Sequence, residues 1–61
     1  MDIGVEINPK VRFGKPILKG TRITVTEVLG WLAAGMEFDE IKEEYGLTKA
    51  QITDALKYME A

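Results

Sequence analysis

The sequence predicts a mainly α fold with a small N-terminal β element ahead of three helices. Three observations carry that prediction. The apolar period lengthens from about two to about 3.6 residues near Thr24. Two Thr-x-x-Glu/Gln sequences, Thr24–Glu27 and Thr48–Gln51, stand where helices would begin. Gly35 and Gly46 follow the first two apolar stripes, where the left-handed closing residue of a helix is most often glycine.

The N-terminal third reads as short extended pieces. Ile3, Val5 and Ile7 alternate with small or polar residues, the pattern of a half-buried strand, and Asn8-Pro9 breaks it. Val11 and Phe13 flank Arg12 in a second short alternation, which Gly14-Lys15-Pro16 turns. Ile17-Leu18 and Thr21-Arg22-Ile23 then enclose Lys19-Gly20, a two-residue turn in which Gly supplies positive φ. Strands this short need a pairing partner. A second copy of the chain could provide it, so Ile3, Val5 and Ile7 are candidate contact residues.

Helical spacing takes over at Thr24. Val25, Val28, Leu29 and Leu32 form one stripe, and Trp31 lies off it without obvious cover, a further candidate for contact with another chain. In the second helix Phe38, Ile41 and Tyr45 fall at i, i+3 and i+7 behind a weak cap at Glu37. Ile52, Ala55, Leu56 and Met59 mark the expected buried side of the third. The division is an arm with a basic turn over residues 1–24 and a three-helix core over 25–61, one domain in all.

Composition narrows the function. At 61 residues the apolar core is close to the minimum for independent folding, and with no Cys no disulfide or thiolate staple is available. Self-association or a partner subunit is therefore expected. The absence of His and Ser removes further nucleophile–base and metal options, so the expectation is a non-enzyme with no cofactor and no metal. GKPILKGTR does not match the phosphate-binding G-x-x-x-x-G-K-[ST] order, and the Asp39, Glu40, Glu43 and Glu44 spacing wraps around a helix as a wet face does. No apolar run approaches the roughly 20 residues of a membrane span, and MDIGVEINP lacks the pattern of a signal peptide, which together point to the cytoplasm.

Charge is segregated. Residues 1–24 hold five bases and two acids, net +3; residues 25–61 hold three bases and eight acids, net −5; together they give −2. Helices two and three are joined by Gly46-Leu47-Thr48, the kind of turn from which a helix-turn-helix is built. Lys49, Gln51 and Thr53, near the start of the third helix, are then candidates for DNA contacts. Glu40, Glu43, Glu44 and Asp54 oppose this, and on the helices alone a packing role is favoured. Lys15, Lys19 and Arg22, close to the tight turn of the arm, are equally suited to phosphate contact or to keeping a hairpin edge soluble.

Gly14-Lys15-Pro16-Ile17-Leu18-Lys19-Gly20-Thr21-Arg22-Ile23-Thr24-Val25, with Leu32-Ala33-Ala34-Gly35-Met36 and Glu43-Glu44-Tyr45, closely resembles domain-of-unknown-function family 433 over about residues 8–59. The resemblance implies a homeodomain-like three-helix fold and an antitoxin-like member of a toxin–antitoxin pair, whose partner is often a PIN-like ribonuclease. Tyr45-Gly46-Leu47-Thr48 is tighter than the Tyr-Pro-containing turn many members carry. The resemblance also suggests that Gly14, Pro16, Gly20 and Thr21 shape the arm. Arg22 would reach Glu27 or Glu37, leaving Lys10, Arg12, Lys15 and Lys19 for an anionic partner. The resulting expectation is a homodimer that binds a PIN-like toxin and operator DNA as an autorepressor. The alternative is a protein-interaction or structural dimer module that never touches DNA.

Overall fold

The structure is a computed structural model that describes residues 4–60. It consists of a two-stranded antiparallel sheet, β1 (Val5–Glu6) and β2 (Ile17–Leu18), and three helices, α1 (Val25–Ala33), α2 (Phe38–Tyr45) and α3 (Lys49–Glu60). Val5 lies opposite Leu18 and Glu6 opposite Ile17, so β1 finds a pairing partner within the chain. Ile3, the other end of the expected strand, lies outside the described residues.

The arm is a series of hydrogen-bonded turns. The Asn8 side chain accepts from the Lys10 N–H at 2.9 Å and its carbonyl accepts from the Val11 N–H at 2.9 Å, reversing the chain after Pro9. The alternation at Val11–Phe13 does not make a strand. Arg12, Phe13 and Gly14 instead form one tight turn with φ of 51°, 60° and 78°, three consecutive left-handed residues, only one of them glycine. Beyond it Leu18 donates to Ile23 O at 2.9 Å and Thr21 donates to Leu18 O at 3.0 Å, closing a hairpin around Lys19-Gly20. Gly20 takes φ 77°, and the Thr21 hydroxyl donates to Leu18 O at 2.9 Å while accepting from the Ile23 N–H at 3.0 Å.

Each helix begins where the side-chain chemistry places it. Thr24 and Glu27 satisfy one another's amides at the start of α1, at 3.0 and 2.9 Å. Thr48 and Gln51 do the same for α3, at 3.1 and 2.8 Å. At α2 the Glu37 N–H donates to Glu40 Oε1 at 2.8 Å, so a carboxylate three residues in satisfies the first amide. Gly46, at φ 71°, ends α2 and donates to Lys42 O at 2.9 Å.

The core draws on every element except β1 and the tight turn. Leu18, Val25, Val28, Ile41, Leu47, Ile52 and Ala55 form one buried cluster, with Val5, Trp31 and Tyr58 packed partly against it. Three expectations are corrected. Leu56 and Met59 are exposed; α3 turns Ile52, Ala55 and Tyr58 inward, and one residue further along is roughly 100° around the helix. Trp31 is covered within the chain: its ring stacks on Tyr45, centroids 3.7 Å apart and planes 3° apart. Tyr45 is consequently a lid over Trp31, itself 42% exposed, rather than a core residue.

Candidate binding surface

Chemistry on this chain concentrates on the arm, whose tight turn is tied down by one guanidinium. Arg12 Nη1 donates to Glu27 Oε1 at 2.9 Å and to the Arg22 carbonyl at 3.1 Å, tying the tight turn to α1 and to the hairpin. This is the internal contact expected of Arg22, made by Arg12 instead; Arg22 contributes its carbonyl, and its side chain is exposed. Arg12 is thereby withdrawn from the set of cations left for a partner. The left-handed turn at residues 12–14 is what brings it against the first turn of α1.

Glu27 is the junction. Its Oε1 accepts from the Thr24 N–H, the Thr24 hydroxyl and Arg12, at 2.9, 3.2 and 2.9 Å. Hydrogen bonding by the Thr24 amide holds its carboxyl below the ordinary value of 4.5; burial opposes this, and the smaller contributions of the Arg12 side chain and the Thr24 hydroxyl add to the lowering. Thr24 is itself buried, and Ile17 bridges to it, so the cap of α1 is part of the arm's sheet.

Of the other cations, Lys10, Lys15, Lys19 and Arg22 are exposed along the arm and Lys49 at the start of α3. The third-helix candidates are less available than their spacing suggests. The Gln51 side-chain oxygen is committed to Thr48, and the Thr53 hydroxyl donates back to Lys49 O at 2.9 Å. Asp54 packs directly against Gly4, which at φ +73° has no Cβ to displace it, so α3 is seated on the arm. Asp39, Glu40, Glu43 and Glu44 on α2 face solvent. Gly14 and Pro16 shape the arm as a bend, Gly14 closing the left-handed turn and the Pro16 carbonyl accepting from the Val25 N–H at 3.0 Å.

Sequence reasoning missed Phe13. Read as a strand residue, it is 96% exposed at the apex of the tight turn. Its placement between Arg12 and Gly14, in a run rich in Lys, Gly and Pro, was the available signal. Among the described residues no group of carboxylates is placed to hold a metal ion, no helix is long and apolar enough to cross a membrane, and no ligand-sized cavity opens.

A sequence profile described as "Protein of unknown function (DUF433)" matches residues 5–59. A Mycobacterium tuberculosis H37Rv protein named "Putative antitoxin VapB45" is 38% identical over 55 residues, which are 90% of this chain and 23% of that protein. A crystal structure of a DUF433 member from Anabaena variabilis superposes with a TM-score of 0.88 at 28% identity, over 97% of this chain and 59% of that one. Rv2018 from Mycobacterium tuberculosis superposes at 0.77 with 38% identity, over 90% of this chain and 26% of that one. The chain thus spans about a quarter of the length of the curated relative.

Proposed function

The chain belongs to the DUF433 family, and on that premise we propose that it is a non-catalytic, antitoxin-like binding module that neutralises a PIN-like ribonuclease and, as a homodimer, contacts its own operator DNA. The observation that supports this most is the 38% identity over nine-tenths of the chain to a protein named as an antitoxin. The side chains agree with a binder. Without His, Cys or Ser the chain offers neither the usual base nor the usual nucleophiles, whereas it presents exposed cations and an exposed aromatic on one arm.

Co-expression with the product of the adjacent gene tests the toxin half. The neighbour alone should arrest growth, and this chain should restore growth and co-elute with the neighbour. A neighbour that is harmless, or that stays toxic and elutes separately, refutes it. Purified chain should also lack nuclease activity; activity lost on changing Asp39 or Glu43 would overturn the non-catalytic reading.

A further inference from the structure

Phe13 combines two features that a folding chain ordinarily avoids. Its side chain is 96% exposed, and its backbone, like that of Arg12, sits at positive φ without being glycine. Such backbone persists only where the surroundings over-determine it. Here they do: Arg12 is anchored to Glu27 at 2.9 Å and to the Arg22 carbonyl at 3.1 Å, and Gly14 and Lys15 donate back to Val11 O and Arg12 O at 3.1 and 3.2 Å. The core gains nothing from this arrangement, because Phe13 packs on none of it. The clasp holds an aromatic ring outward in a preset position.

The electrostatic setting narrows what that ring meets. From Ile7 to Thr26 the chain has five cations and no acid. Glu27 neutralises Arg12, while Lys10 and Lys15 flank the turn exposed, and Arg22 is exposed across the hairpin. Lysine is depleted from the centres of protein interfaces, whereas cations beside an outward aromatic are the working parts of a nucleic-acid contact. On α3 the Gln51 side-chain oxygen and the Thr53 hydroxyl are engaged in their own helix, leaving Lys49 exposed there, and the solvent-facing carboxylates of α2 disfavour phosphates beside it.

We propose that the arm is a nucleic-acid contact in which Phe13 stacks on, or wedges between, bases while Lys10 and Lys15 neutralise the neighbouring phosphates. The shared chemistry is a base face beside a phosphodiester, which a duplex offers at a flexible step and a single strand offers throughout. This deepens the DNA half of the proposed function and is independent of the toxin half.

The test is fluorescence anisotropy of the full chain with a labelled duplex of about 20 base pairs and with one of its strands, starting near 50 mM salt. Binding should weaken with salt by about 0.9 log units per log unit of salt for each duplex phosphate contacted, or about 0.7 for the single strand, and the tighter of the two identifies the source. Lys10→Gln with Lys15→Gln should flatten the slope by about two contacts' worth. Phe13→Ala should weaken binding roughly tenfold at unchanged slope, and Phe13→Tyr, which keeps a stacking ring, should restore it. All variants should melt with the parent, since the replaced side chains are exposed. No binding to either probe at the lowest salt overturns the proposal, as does Phe13→Ala binding as tightly as the parent. A Phe13→Ala chain that loses self-association or the toxin while keeping its nucleic-acid affinity assigns the ring to a protein surface instead. Toxin neutralisation without nucleic-acid binding leaves the antitoxin reading standing and removes this one.

Discussion

Replacing Glu27 with alanine removes every hydrogen bond that converges on its Oε1: from the Thr24 N–H, the Thr24 hydroxyl and Arg12. Loss of a capping interaction costs about 1 kcal/mol. The ion pair adds roughly 0.5 kcal/mol, because both side chains remain more than a third exposed, at 37% and 38%. A total of about 1.5 kcal/mol corresponds, in a chain this small, to a fall in Tm of roughly 6–12 °C. Glu27→Gln keeps an acceptor oxygen and loses the charge, so its cost should be about 0.5 kcal/mol. Urea unfolding followed by Trp31 fluorescence measures both. The carboxyl of Glu27 is held lower in the folded chain than in the unfolded one, chiefly by the Thr24 amide. Its contribution is therefore complete above the ordinary value of 4.5 and disappears as pH falls through the lowered one. The gap between parent and Glu27→Gln should stay constant near neutrality and close only in acid below that value. Equal stability of parent and Glu27→Ala, or a gap that persists through acid, would refute the junction. So would a double-mutant cycle with Arg12→Ala that shows no coupling.

Gly4→Ala should cost on the order of 1–2 kcal/mol, since a Cβ there collides with the Asp54 carboxylate and φ is +73°; a melt unchanged from the parent would contradict that seating. Gly20→Val should cost roughly 1 kcal/mol or more from backbone strain alone, because its φ is +77° and nothing lies within 4 Å of the added carbon. Equal Tm values would exclude that account. Tyr45→Ala should uncover Trp31 and shift its emission to longer wavelength, with a loss of about 1 kcal/mol, and an unshifted spectrum would deny the stack. Sedimentation at micromolar concentration should show a dimer that shields Ile7, at 61% exposure, or Met59, at 59%. A fully folded monomer there removes the homodimer from the proposed function.

The helices were legible because their signals are local. Thr24–Glu27 and Thr48–Gln51 mark starts, Gly46 marks a stop, and Val25, Val28, Ile41, Ile52 and Ala55 are buried as their spacing demands. Helical spacing constrains the phase of a stripe less tightly than its existence. Leu56 and Met59 and the inward trio Ile52, Ala55 and Tyr58 fit the same period, and only contact with the rest of the core selects between them. The arm was legible at Gly20 and Thr21, where turn chemistry is encoded in two adjacent residues. It was not legible at Arg12 and Phe13. Left-handed φ at Arg and Phe has no sequence signature, and the clasp that sustains it reaches across fifteen positions to Glu27. The same gap hid the exchange of roles between Arg12 and Arg22, and the exposure of Phe13 with it.

The burial of Leu18 and Thr24, together with the bonds from Leu18 to Ile23 and from Val25 to Pro16, bears on how the chain opens. In many small proteins a short hairpin beside helices frays first, and its amides exchange with solvent long before those of the core. Here Leu18 fills the centre of the helical cluster, and Thr24 is at once a bridge residue of the hairpin and the cap of α1. Separating the hairpin would uncap α1 and vacate the core in one event. Hydrogen exchange at the Leu18 amide should thus follow the same opening that exposes Ile52 in α3, with hairpin and helices losing protection together.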